Sequence, residues 1–192
     1  MNTEPLSPEQ SLELITEVIK EAKYKFEENG VIYCMWGGIL AFAALLQYGL
    51  LRSGQEEISY YGYFIVPIGA LISWYYYAKK KSYRKNQVST NISITWGIVS
   101  MNLMILGFFF SFVLQENLTP LMLILMGIGT TISGSLIKSR LILFSGLFLN
   151  AAGFLCFQLN WLEHPLVLGI SAILFILVPG LLLMIKHKGN NV

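Results

Sequence analysis

Charged and metal-binding residues are scarce in this sequence. It contains no aspartate, and only 12% of its 192 residues are charged. Two histidines, His164 and His187, stand far apart without the spacing of a zinc site or a Ser-His-Asp hydrolase. No glycine-rich phosphate loop precedes a polar helix. We therefore expect no enzyme activity, no metal and no cofactor. Glu163-His164 could pair an acid with a base, but short loops commonly carry such residues without chemistry.

Cysteine is equally rare, and the two residues fall in separate apolar stretches near opposite faces of the membrane. A disulfide requires Cα atoms within about 7 Å of each other. We expect Cys34 and Cys156 to be free, buried thiols.

Long uncharged stretches make up most of the chain, which is 55% hydrophobic. Crossing a hydrocarbon core about 30 Å thick takes about 20 residues in a helix. Six stretches without Lys, Arg, Asp or Glu approach or exceed that length. The sequence therefore predicts an all-α polytopic membrane protein with six transmembrane helices in three hairpins. The predicted spans cover residues 31–51, 58–78, 92–114, 120–137, 141–159 and 165–185.

The basic residues fall on one side of these spans. Of the 13 Lys and Arg residues, Arg52 alone lies in an odd-numbered connection, and the other twelve flank the opposite ends. Short cytoplasmic loops are enriched in Lys and Arg. We expect both termini, including the tail 186–192, to be cytoplasmic, and the first apolar run to remain as a span rather than be removed as a signal peptide.

Residues 1–30 predict a separate cytoplasmic segment that contains a helix over about 7–29. Ser7 is a suitable N-cap, Pro8 suits the first helical position, and Gln10 completes a capping box. Asn29-Gly30 predicts a left-handed stop. The helix should lead directly into the first span.

One face of this helix is apolar and the opposite face is acidic. Seven Glu against three Lys in residues 1–30 oppose binding to an anionic membrane surface. The helix either packs its apolar face on the inner ends of its own spans or docks to a second copy or a cytoplasmic protein. The candidate interaction face consists of Leu12, Ile15, Ile19, Ala22 and Phe26, and the acidic row of Glu9, Glu13, Glu17 and Glu21.

The connection after the second span is strongly basic. Each such charge gains about 1 kcal/mol near anionic headgroups, so contact with membrane lipids explains the loop. We also expect it to meet the acidic row, within one chain or across a homodimer. No folded module surrounds the loop, so nucleic acid is not an expected partner. The basic residues are Lys79, Lys80, Lys81, Arg84 and Lys85.

Small and hydroxyl residues dominate the fourth span, and two asparagines lie deep in the third and fifth. Small residues let helices approach closely in lipid, and amides hydrogen-bond between helices. The alternative is a polar path for an uncharged solute. The residues concerned are Gly127, Thr130, Thr131, Gly134, Asn102 and Asn150.

Prolines and one recurring dipeptide complete the pattern within the spans. Pro67 and Pro179 predict kinks, either as hinges or as fixed bends. Trp36-Gly37 recurs as Trp96-Gly97, and we attribute this match to a shared position at the inner interface. We predict three successive hairpins without a further internal repeat.

Several motifs together resemble a family of small bacterial six-span membrane proteins to which no activity is attached. They are Ser11-Leu12 to Ile15, Phe26 to Gly30 leading into Trp36-Gly37, Gly127 to Gly134 followed by Lys138, and Pro179-Gly180. The resemblance covers nearly the whole chain and implies the same architecture in a bacterial inner membrane. Similar sequences often carry a bulky aromatic residue where Gly38 stands here.

These observations favour a non-enzymatic integral membrane protein that acts through assembly or partner binding by its acidic cytoplasmic helix. The alternative is a small transporter or channel for an uncharged or lipid-like solute. A continuous polar cavity along Thr130, Thr131 and Asn150 would indicate transport, whereas a solid bundle would favour partner binding.

Overall fold

The structure is a computed structural model that describes residues 7–28, 30–79 and 87–189. These residues contain helices and no strand, which confirms the all-α class. A 3-10 turn, Ser59–Phe64, leads into α3, and a π turn, Ile173–Leu177, joins α8 to α9. The helices are α1 Pro8–Glu28, α2 Gly30–Arg52, α3 Ile65–Lys79, α4 Gln87–Phe109, α5 Ser111–Leu114, α6 Leu118–Leu136, α7 Arg140–Cys156, α8 His164–Ala172 and α9 Val178–Gly189.

Four helical stretches among these residues are long and apolar enough to cross a membrane, which indicates membrane localisation. The apolar helix α7 is shorter, at 17 residues. The 3-10 turn and α3 are rich in tyrosine, which lowers their mean hydropathy. The four stretches are Gly30–Arg52, Gln87–Phe109, Ser111–Leu136 and Trp161–Lys186.

The boundary after the predicted third span differs from the sequence expectation. We expected this span to cover 92–114, but α4 begins at Gln87 and ends at Phe109. Its 23 residues already extend about 34 Å, enough to cross the hydrocarbon core. Residues 110–117 therefore belong to the short helix α5 and the turn that leads into α6.

The start of α1 matches its predicted cap. The Gln10 backbone N–H donates to Ser7 Oγ at 3.2 Å, and the Ser7 N–H donates to Gln10 Oε1 at 3.0 Å. The predicted stop is different: Gly30 is the first residue of α2 and has no left-handed conformation. Gly30 instead lies against Gly180 of α9, where a Cβ atom would meet the carbonyl oxygen at 2.9 Å. Asn29 lies outside the described residues.

The centre of the bundle consists of α2, α6, α7 and the continuous stretch α8–α9, while α3 and α4 flank it. The tightest contact is between α6 and α7, where glycines from both helices leave no room for a Cβ atom. Gly127 lies against Asn150, and Gly153 lies against Pro120. The flanking helices are largely exposed, since Gly69 and Val99 are the buried residues reported for α3 and α4.

The bundle has two distinct ends. The connections after α2, α5 and α7 meet at one end, here called the far end: Arg52 forms an ion pair with Glu163, and the His164 ring contacts the Glu116 carbonyl oxygen at 2.9 Å. Lys79, Lys138, Arg140 and Lys186 lie at the other end, here called the basic end.

Two of the hairpins are built alike. From the sequence we attributed the recurring Trp-Gly pair only to a shared position at the inner interface, so this similarity was not anticipated. The Trp36 indole N–H donates to Ser73 Oγ at 3.0 Å, and the Trp96 indole N–H donates to Ser133 Oγ at 3.0 Å. The first bond joins α2 to α3 and the second joins α4 to α6, each across 37 residues. Gly69 lies against Ile39 in the first hairpin, as Gly129 lies against Val99 in the second.

All these contacts are related by a shift of 60 residue numbers, and so is the sequence around them. The pattern Ile-Gly-x-x-Ile-Ser occurs at 68–73 and again at 128–133. The second hairpin therefore repeats the first without an insertion. Identical pairs are Ile32 and Ile92, Trp36 and Trp96, Gly37 and Gly97, Leu46 and Leu106, Gln55 and Gln115, Glu56 and Glu116, Ile68 and Ile128, Gly69 and Gly129, Ile72 and Ile132, and Ser73 and Ser133.

Helices α2 and α6 end in the same way, but with different residues in the left-handed position. After α2 this residue is Gly54, with φ of 76°, and after α6 it is Lys138, with φ of 51°. At both ends the N–H of the next residue donates to the carbonyl oxygen five residues back. Gln55 donates to Leu50, and Ser139 donates to Gly134. Lys138 therefore adopts a conformation that strains every residue with a Cβ atom.

We predict that Lys138→Gly stabilises the protein by about 0.5–1 kcal/mol, because relief of the left-handed strain exceeds the extra chain entropy of glycine. Lys138→Ala removes the same charge but keeps the strain, and should leave the free energy of unfolding nearly unchanged. Reversible unfolding in mixed micelles measures both. Equal stability of the two variants would contradict this account.

Candidate functional site: the acidic helix and the polar span

Helix α1 lies across the basic end of the bundle and contacts α9, α4 and α2. Its first half does not pack tightly there. An open cavity of about 450 Å³ lies between the apolar side of α1 and the ends of α4 and α6. The cavity is lined by Leu14, Ile15, Val18, Ile19, Val88, Ser135 and Leu136.

The candidate interaction face is only partly turned toward this cavity. Ile15 and Ile19 line it, yet Ile15 is 56% exposed and Leu12, at the edge of the face, is 67% exposed. Glu13 and Glu17 are exposed on the same helix. The side chains of Glu9, Glu21, Ala22 and Phe26 lie outside the described residues. The helix thus presents apolar and acidic side chains next to each other.

The structure describes one residue of the basic loop. Lys79 Nζ lies 3.4 Å from the Tyr75 hydroxyl and 5.5 Å from the centre of its ring, on the same helix. Lys80, Lys81, Arg84 and Lys85 lie outside the described residues. The pairing of this loop with Glu13 and Glu17 therefore stays a prediction.

Three hydroxyl groups in the middle of α6 are engaged within the protein. Thr130, Thr131 and Ser133 each donate to the carbonyl oxygen four residues back, at 2.8 Å. Thr130 and Ser133 also accept bonds, from the Tyr33 hydroxyl at 3.4 Å and from the Trp96 indole. The side chains of Thr130 and Ser133 are 1% and 0% exposed.

The glycines of α6 lie in the same packed surface. Gly127 contacts Asn150, and Gly134 contacts the backbone of Leu143 on α7. On α7, Gly146 faces Thr131. Atoms of α7 therefore occupy the space that a solute path along this face of α6 would need.

The two asparagines do not bridge helices by the hydrogen bonds that we expected. Asn102 Nδ2 donates to the Ile98 carbonyl at 2.8 Å, and Asn150 Nδ2 donates to the Gly146 carbonyl at 2.9 Å. Each amide thus uses the nearest acceptor, which its own helix offers four residues back. Aromatic side chains make the connections between helices instead, as Trp36 and Trp96 do.

The helix geometry changes next to both prolines. Pro67 is the third residue of α3, directly after the 3-10 turn, so its missing N–H falls where a helix start leaves donors unpaired. Pro179 follows the π turn Ile173–Leu177, which accommodates the displaced carbonyl of Phe175. The π turn before Pro179 is packed tightly, because Gly37 lies against Leu177. This packing favours a fixed bend.

The polar cluster at the far end includes His164, which the sequence offered only as a possible base beside Glu163 and not as a structural group. The His164 ring is 4% exposed, and its Nδ1 and Nε2 atoms lie 2.9 Å and 2.8 Å from the Glu116 and Cys156 carbonyl oxygens. Two carbonyl oxygens at one imidazole join three segments of chain. This buried ring therefore fastens the far-end connections, and the only available sequence signal was a histidine before Pro165.

Cys34 and Cys156 are free, as expected. Among the described residues no group of three or more His, Cys, Asp or Glu could hold a metal ion. Comparisons with protein families, curated proteins and solved structures find no match.

We predict that Gly146→Ala destabilises the protein by about 1–3 kcal/mol, because its Cβ atom would overlap the Gly127 carbonyl oxygen and Thr131 on α6. Gly49→Ala on α2 is the matched control, since no described atom lies within 4 Å of its Cβ position. It should be neutral or slightly stabilising. Unfolding in mixed micelles compares the two. Similar effects of both substitutions would show that the α6–α7 contact is not tight.

Proposed function

We propose that the chain is a six-span protein of a bacterial inner membrane with both termini in the cytoplasm, and that it works by binding a partner rather than by catalysis. The four long apolar stretches support four of the spans. The 3-10 turn Ser59–Phe64 and α3 together extend about 34 Å, the length of a fifth.

Helix α7 is proposed as the remaining span although it is short. It runs along α6 from Leu143, beside Gly134, to Gly153, beside Pro120. Because α6 belongs to a stretch that is long enough to cross, its antiparallel neighbour lies in the same layer of lipid. The basic end then faces the cytoplasm, in agreement with the distribution of Lys and Arg.

The observation that carries the proposed activity is the surface of α1. Leu12 and Ile15 are more than half exposed, and Glu13 and Glu17 are exposed beside them. Headgroups of anionic lipids would be repelled by this helix, so the bilayer surface is a poor cover for its apolar side chains. A segment of a protein is a better cover for these apolar side chains.

The chemistry of α1 specifies the partner. A segment with apolar side chains could fill the cavity of about 450 Å³ beside Ile15, and flanking Lys or Arg residues would pair with Glu13 and Glu17. The same acidic row disfavours pairing with α1 of a second copy, since like charges would meet. We therefore propose a cationic amphipathic segment of another protein as the partner.

We predict that cysteines at the far end label from outside the cell and cysteines at the basic end do not. Gln55→Cys and Gln158→Cys test the connections after α2 and α7, and Ser139→Cys tests the turn between α6 and α7. An impermeant maleimide on intact spheroplasts should label the first two alone. Labelling of Ser139→Cys from outside would contradict the proposed orientation.

We predict that Glu13→Lys with Glu17→Lys weakens binding of a synthetic Leu/Lys amphipathic helix to the purified protein by about tenfold or more, because attraction becomes repulsion. Binding is measured by fluorescence anisotropy at low and moderate salt. The uncharged pair Glu13→Gln and Glu17→Gln is the graded control and should weaken binding less.

The same variants connect this assay to the cell. A photoreactive residue at Leu12 should cross-link to the partner protein when the rest of the helix is unaltered. The same cross-linked protein should be lost when Glu13→Lys and Glu17→Lys are added. Removal of residues 1–28 should abolish peptide binding. Undiminished binding by the shortened protein would refute α1 as the docking helix.

A further inference from the structure

The two similar hairpins differ in what covers their first helices. In α2, Gly37 lies so close to the α8–α9 stretch that a Cβ atom would meet the Leu177 nitrogen at 2.6 Å. Ala41 and Ala44, on the same side of α2, are 7% and 0% exposed. This side of the first hairpin is therefore covered by a helix of the same chain.

The corresponding side of α4 has no such cover. Gly97 takes the place of Gly37, and no described atom lies within 4 Å of its Cβ position. Met101 and Met104, which correspond to Ala41 and Ala44, are 56% and 61% exposed. One residue of α4, Val99, is buried, against eight residues of α2.

We propose that the Gly97 side of α4 is the contact surface for a second copy of this chain, with α4 packed against α4 of the partner inside the membrane. The first hairpin shows what this surface does when it is occupied: its glycine admits the backbone of another helix. We assign the covering helix to a second copy, because α8–α9 lies against α2 and no other described helix approaches Gly97.

The surface suits pairing with itself. Helix α4 carries no charged residue over Gln87–Phe109, so two copies meet without repulsion. Ser93 and Gly97 are four residues apart and allow close approach at the crossing point, and the flexible Met101 and Met104 fill the space beside it. A two-fold axis through Gly97 gives both copies the same contacts and closes the assembly at two.

This interface is separate from the docking helix. It lies in the apolar part of α4, whereas Leu12 and Glu13 lie on α1 at the basic end. Removing residues 1–28 should therefore abolish peptide binding and leave the contact between copies intact. The two proposals can fail independently.

Disulfide cross-linking in native membranes tests the interface. Gly97→Cys, in a chain with Cys34→Ala and Cys156→Ala, should form a covalent dimer on mild oxidation. Gly38→Cys is the matched control, because Gly38 lies at nearly the same depth on α2 and has equally open space at its Cβ position. About tenfold more dimer from Gly97→Cys is expected. Equal cross-linking at both positions would show that lipid covers this side of α4.

A second measurement keeps the native cysteines. Light scattering in detergent should give the mass of two chains for the wild type, and Gly97→Leu should raise the dissociation constant about tenfold or more by keeping the helices apart. Gly38→Leu should have no effect. Monomers at every wild-type concentration, or dimers equally stable with Gly97→Leu, would overturn the proposal.

Discussion

Close approach of helix backbones at glycine is the constraint on which the rest of the structure depends. Lipid tails are as apolar as leucine, so burial of apolar surface does not drive helices together within a membrane. Here Gly134, Gly146 and Gly153 bring α6 and α7 into contact, and Gly37 and Gly180 do the same for α2 and the α8–α9 stretch. These contacts create a solid centre. The less tightly packed helices, α3 and α4, are left at its flanks.

Polar groups inside this centre are satisfied locally, which decides what the centre can do. The hydroxyls of Thr130, Thr131 and Ser133 donate to their own helix, and those of Thr130 and Ser133 also accept from Tyr33 and Trp96. Such groups hold neighbouring helices in register but offer little to a passing solute. The chain leaves other surfaces uncovered: α1 exposes Glu13 and Glu17, and α4 exposes Met101 and Met104.

Sequence reasoning succeeded where the signal is local. The N-terminal cap follows from Ser7 and Gln10, and the close packing of α6 follows from its small residues. It failed where a contact joins distant positions. Trp96 pairs with Ser133 across 37 residues, and nothing near Trp96 distinguishes this partner from the other serines. The left-handed Lys138 was equally hidden, because glycine is the usual residue there.

The duplicated hairpins show how similar sequences acquire different surroundings. In the first hairpin the leading helix, α2, lies at the centre and α3 flanks it, while in the second the trailing helix, α6, lies at the centre and α4 flanks it. The Trp–Ser bond and the glycine contact fix each pair but not its place in the bundle. That place is decided by α7 and α8–α9, which pack on α6 and α2. The third hairpin thus selects which copy of the glycine surface is buried and which remains open.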